Sequence, residues 1–166
     1  MMMKISSKNL ALCALLAALA LALSWAESFL ILPLPVPGMK LGLANIVTLY
    51  ALYALSFPAA LSILLVRCTL GAFFAGSISS LLFSLCGGLL ALIIMTLFRR
   101  SPLSIYGVSL CGAAAHNIGQ VVCAIFILRS FAPVGYLPFL LILSLFTGAL
   151  CAFCTASIYR ATYRLV

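Results

Sequence analysis

The string His116-Asn117-Ile118-Gly119-Gln120 sets three hydrogen-bonding side chains within one and a half turns of a strongly apolar stretch. On a helix His116 and Gln120 share a face with Gly112, and Asn117, turned about 100° from His116, borders it. Arg67 lies near the middle of another apolar run, about eight residues from either end, or roughly 12 Å along a helix. Glu27 is the only acidic residue, against nine Lys and Arg. Polar and charged side chains held in hydrocarbon must pair, face a protein interior or contact a ligand. The chemistry these residues offer is binding. No nucleophile stands beside a base, and no His, Cys or carboxylate cluster has metal-site spacing. The chain is therefore expected to be no enzyme, with no catalytic residue, no metal and no cofactor. The competing readings are structural: a buried ion pair for Arg67, interhelical polar ties for the His-Asn-x-x-Gln patch, and a solvated interfacial position for Glu27.

The elements that must position these residues are membrane helices. The chain is 67% hydrophobic and 6% charged, with a mean hydropathy of +1.38, and so cannot supply the polar shell of a soluble domain. Its 166 residues give room for about six spans and no separate soluble domain, so residues 1–166 read as one polytopic unit. The six segments run from about Asn9 to Ala26, from near Leu41 to before Ser56-Phe57-Pro58, and from about Ala59 to Ala75. The rest run from about Ser80 to Phe98 with a bend at Gly87-Gly88, from about Leu103 to Leu128, and from after Pro138 to about Tyr159. Between the first two lies Pro33-Leu-Pro-Val-Pro-Gly38, which forbids a regular helix. Lys4 and Lys8 before an apolar run also fit a signal peptide, but the polytopic remainder favours a retained first helix. The net charge of +8 is spread in ones and twos, which argues against nucleic acid.

The cations give the orientation. With six spans, Lys4, Lys8, Arg99, Arg100, Arg160 and Arg164 fall on one side and Lys40 and Arg129 on the other. The richer side is cytoplasmic by the positive-inside rule, which places both termini in the cytoplasm and the proline-rich connection outside. Arg67 belongs to neither set. The seven cysteines sit in apolar runs and read as small packed side chains, including the isolated Cys151-x-x-Cys154 pair.

Glu27, Lys40, Asn45, Arg67, His116, Asn117 and Gln120 are expected to converge on an outward-facing substrate cavity capped by the proline-rich loop. Ala14, Ala18 and Ala22 recur every fourth residue on the first helix. That small-residue strip admits close approach of another helix, either within the chain or as the docking face of a partner protein.

Glu27, the run Leu34-Pro-Val-Pro-Gly-Met-Lys-Leu-Gly-Leu-Ala-Asn45, Arg67 and the run from Gly112 to Gln120 resemble the bacterial Gx transporter family. Its members are also described as heptaprenyl diphosphate synthase component I. That family is similar to the S components of energy-coupling factor (ECF) transporters. The resemblance implies an all-α bundle of six transmembrane helices, an Ala-x-x-x-Ala strip at Ala14, Ala18 and Ala22 for docking a coupling module (a transmembrane T subunit and ATPases), and an outer loop closing over a vitamin-like substrate. Prenyl synthases of the usual kind hold diphosphate through magnesium on Asp-rich motifs, and this chain has no Asp. If the synthase description applies, the chain is an accessory that binds the lipid product or its partner.

These readings predict a protein of the bacterial inner membrane that binds a small molecule from the outer face, as the substrate-binding subunit of an ECF-type transporter. The excess of cations over acids points to an anionic or phosphorylated ligand with an apolar body: vitamin-, flavin- or isoprenoid-like. The runner-up is a non-catalytic membrane subunit of a heptaprenyl diphosphate synthase or of an electron-transfer system.

Overall fold

A computed structural model describes residues 7–29 and 39–163. Lys4, Arg164 and the proline-rich stretch Pro33–Gly38, with the capping role expected of it, lie outside the described residues. The described residues form a bundle of six helices: α1 (Ser7–Glu27), α2 (Asn45–Ala54), α3 (Phe57–Ala75), α4 (Ile78–Phe98), α5 (Ile105–Leu128) and α6 (Leu137–Tyr163), the last entered through a 3-10 turn at Ala132–Tyr136.

Serines start three of the helices. Ser56, Ser77 and Ser104 accept from the N–H groups of Ala59, Ser80 and Gly107, which satisfies donors that a helix N-terminus otherwise leaves open. Pro58 sits in the first turn of α3, where no N–H is needed. Gly76 closes α3 at φ 59°, a left-handed conformation that costs glycine little.

Among the described residues, five apolar helical segments are long enough to cross a membrane: α1, α3, α4, α5, and α6 with its entry turn. α2 is not. Its 10 residues span about 15 Å, half of a hydrocarbon core. The full second span expected from Leu41 is thus corrected: residues 39–44 are irregular backbone, and the helix begins only at Asn45. α4 runs through Gly87 and Gly88 as one continuous helix.

The helices alternate in direction along the chain. α5 lies antiparallel to α4, with Gly112 against Met95 and Gly119 against Cys86. α6 lies antiparallel to α5, tied by Ser109 Oγ to the Gly148 carbonyl at 2.7 Å and by Asn117 Nδ2 to the Leu140 carbonyl at 2.8 Å. α2 runs parallel to α6, held by Thr155 to the Ile46 carbonyl and Tyr50 to Thr162. On the face where α2, α4 and α6 end, Arg99 donates to the Leu52 carbonyl and lies over the Tyr53 ring, 5.1 Å from its centroid. Large apolar side chains such as Leu15, Phe73, Phe126, Phe146 and Phe153 point outward, as they do on helices solvated by lipid.

Packing of α4 on α5 depends on small residues. A Cβ on Gly119 would stand 2.7 Å from the Cys86 carbonyl oxygen and 3.0 Å from the Gly87 Cα. Both are backbone atoms and cannot turn aside. Gly119→Ala is expected to force the two helices apart and cost about 1–3 kcal/mol, measured as thermal unfolding in detergent. Gly135→Ala, at a glycine with no atom near the added carbon, should leave the midpoint unchanged.

Candidate functional site

Irregular backbone at membrane depth is tolerated only where protein groups satisfy it. Residues 39–44 meet that condition through side chains from two neighbouring helices. Gln120 lies eight residues before the end of α5 at Leu128, about 12 Å along the axis. Its amide reads the main chain of Lys40 twice: Oε1 accepts from the Lys40 N–H at 3.1 Å, and Nε2 donates to the Lys40 carbonyl at 2.9 Å. Glu27, the last residue of α1, uses both oxygens, one accepting from the Gly42 N–H at 2.9 Å and the other from the Leu43 N–H at 3.2 Å. The Gly42 carbonyl accepts from the Asn45 N–H and so opens α2. Gly42 has φ 88°, which only glycine adopts at low cost. A Cβ there would also stand 2.9 Å from both the His116 ring and the Asn45 side chain.

The Gln120 bonds fix the His116 tautomer. With Oε1 accepting and one Nε2 hydrogen given to the Lys40 carbonyl, the other Nε2 hydrogen meets His116 Nε2 at 2.6 Å. His116 Nε2 is therefore the acceptor and Nδ1 carries the proton. The ring packs on Gly87, where a Cβ would come within 2.9 Å of Nδ1. Gly87 and Gly88, read in the sequence as a bend, make room for His116 and for Arg67.

Lys40, counted from the sequence both as an outer-side cation and as a cavity residue, lies on the irregular segment. It is half-buried, with Nζ donating to Ser24 Oγ at 2.7 Å. Glu27 is not a solvated interfacial residue: it is 6% exposed.

Arg67 is 3% exposed, and its Nε and Nη2 have no hydrogen-bond partner. The ion pair with Glu27 weighed from the sequence is not formed; both Glu27 oxygens accept instead from backbone N–H groups. Three further buried side chains are left with unpaired atoms: Asn45 at Nδ2 and Oδ1, Thr48 at Oγ1, and His116 at Nδ1. Asn45 and Thr48 share a face of α2, and Asn45 meets His116 across Gly42. Donors predominate among the unpaired atoms, which suits an acceptor-rich or anionic ligand.

Six of the seven expected residues thus gather around the irregular segment: Glu27, Lys40, Asn45, Arg67, His116 and Gln120. Asn117 does not join them, since its amide is spent on the Leu140 carbonyl as an α5–α6 tie. Ala14, Ala18 and Ala22 are exposed along α1, while Ala17 and Ala20 of the same helix are buried. Sequence reasoning missed Ser24, Gly42, Gly87 and Gly88. Ser24 had one usable signal, its place three residues before Glu27 on the same helix face.

A family model described as heptaprenyl diphosphate synthase component I matches residues 16–158 of the chain. No curated protein and no solved structure matches it. The family match corrects the expectation of transport as an S component docked on an ECF coupling module, because the family holding most of the chain is that of a synthase component. It agrees with the alternative of a non-catalytic subunit. The chain has one acid and no Asp, so it cannot form the paired carboxylates that hold magnesium in a catalytic diphosphate site.

One measurement checks this geometry. Gln120→Leu orphans the Lys40 N–H and carbonyl together, and the thermal midpoint should fall by an amount equivalent to about 2–5 kcal/mol.

Proposed function

Because the chain belongs to the heptaprenyl diphosphate synthase component I family, we propose that it is the non-catalytic membrane subunit of such a synthase and holds an anionic isoprenoid within its bundle. The observation that carries this reading is Arg67. A guanidinium desolvated in a membrane bundle without a partner is costly, and an anionic ligand removes that cost.

In this reading the phosphate end of the ligand meets Arg67, with Asn45 Nδ2 and Lys40 as further donors. Arginine pairs with phosphate oxygens through two parallel bonds, and the neutral Asn45 adds a donor without adding charge, while His116, whose Nδ1 edge lies against Gly87, shapes the site by packing. These donors replace the magnesium that a catalytic site would use. Glu27 and Gln120 act indirectly, by holding the irregular segment that carries Lys40. The ligand is the lipid substrate or product of a soluble catalytic partner, drawn from the bilayer.

The same reading places the protein in the bacterial inner membrane. The bundle face carrying Lys8, Arg99, Arg100 and Arg160 lies in the cytoplasm by the positive-inside rule, where it would meet the soluble partner.

Arg67→Met separates a ligand role from a structural one. Native mass spectrometry of the wild type should show a retained prenyl diphosphate, and the variant should bind it about 10- to 100-fold more weakly, the equivalent of one charge-assisted hydrogen-bonded contact. Stripped of ligand, the variant should be at least as stable as wild type, because an unpaired buried charge has gone. If its stability collapses while the folded fraction binds normally, Arg67 is a packing residue and the reading fails.

A further inference from the structure

A groove of about 750 Å³ runs along the outer surface of the bundle between the C-terminal halves of α1 and α3. That volume is in the range of small-molecule sites. It exists because the residues at its base are small: Ala18 and Ala22 on α1, and Gly71 on α3. A Cβ on Gly71 would meet only one atom of Leu21, at 3.5 Å. Its rim is aromatic, with Trp25 and Phe29 on one side and Phe74 on the other, all largely exposed. A ligand dissolved in lipid can therefore enter sideways, without crossing water.

The groove is not apolar throughout. Lys40 lines it, with its ammonium anchored on Ser24. Arg67 lies one turn before Gly71 on the same face of α3, 3% exposed and with two unpartnered nitrogens. An apolar trough that ends at one cation, with a second behind it, fits a molecule with a hydrocarbon body and an anionic end.

We infer that this groove seats the hydrocarbon chain of a long-chain prenyl diphosphate, with its phosphate end turned inward past Lys40 towards Arg67. The identity of the lipid rests on the functional reading above; the groove, its aromatic rim and its cationic end do not. The exposed alanines of α1 then serve a lipid, since any larger side chain at Ala18 or Ala22 would occupy the space of the chain.

The test compares heptaprenyl diphosphate with isopentenyl diphosphate, which carries the same head on a minimal chain, on purified protein in nanodiscs. Wild type should bind the long-chain compound at least about tenfold more tightly, a difference of 1.4 kcal/mol. Ala22→Trp should abolish that preference and leave isopentenyl diphosphate binding unchanged, while Lys40→Gln should weaken both. Ala18→Phe, one turn away, provides the same obstruction if Ala22→Trp does not fold. Should the obstructed variants keep the long-chain preference, the groove assignment is wrong and the buried head-group site stands. If wild type binds neither diphosphate, both fall. Displacement of heptaprenyl diphosphate by an equal concentration of phosphatidylglycerol would overturn the isoprenoid assignment in favour of a general anionic-lipid groove.

Discussion

Residues 39–44 are non-helical backbone enclosed by a bundle otherwise made of helices, and much of the arrangement around them answers that constraint. A helix satisfies its own N–H and carbonyl groups; these residues cannot, and no bulk water is available at membrane depth. One carboxylate and one carboxamide take over the task. Glu27 accepts two adjacent N–H groups, as a helix N-terminus would require of a cap, and Gln120 imitates a neighbouring strand by giving and receiving one bond at Lys40. Met39 anchors the same segment in an apolar cluster with Phe83, Val121 and Leu140. The segment is thereby fixed from α1, α4, α5 and α6, and α2 can start halfway along the bundle.

That arrangement shortens α2 and brings Lys40 into the interior. It also fixes what His116 can do. Because Gln120 is held by the main chain, its second hydrogen must go to His116 Nε2, and the imidazole is left as a neutral donor at Nδ1. A residue whose isolated chemistry suggests proton transfer is thus turned into a fixed dipole. The glycines around it follow from the same crowding: Gly42 and Gly87 lie against the imidazole, and Gly88 lies against Arg67.

The membrane class, the positions of five long helices, and the polar residues that matter were legible in the sequence, because a polar side chain in an oily run is conspicuous. Their roles were less legible. Hydropathy sees Leu41 to Leu55 as one apolar stretch and cannot tell helix from irregular backbone buried in protein, since both are equally apolar in side chain. Lys40 was read both as an outer-side cation and as a cavity residue, because the sequence does not show that the backbone around it is irregular. Glu27 and Gln120 could be recognised as buried polar groups, but their partners are backbone atoms, which sequence spacing does not single out. Asn117 stands beside His116 in sequence yet serves a different interface, because a turn of about 100° directs it to α6 rather than α2.

The charges inside the bundle do not balance. Glu27 is one negative charge, stabilised by the N–H groups of Gly42 and Leu43. Lys40 and Arg67 are two positive charges, and the neutral tautomer of His116 adds none. The interior is left with an excess of one cation, and it falls on Arg67, whose Nε and Nη2 face no acceptor. A stable core would have replaced such an arginine with an apolar residue at little cost or at a gain. A bundle that spends its only acid on holding an irregular segment leaves Arg67 without an acidic partner among the described residues. In the function proposed above, the phosphate of a lipid ligand supplies that counter-charge.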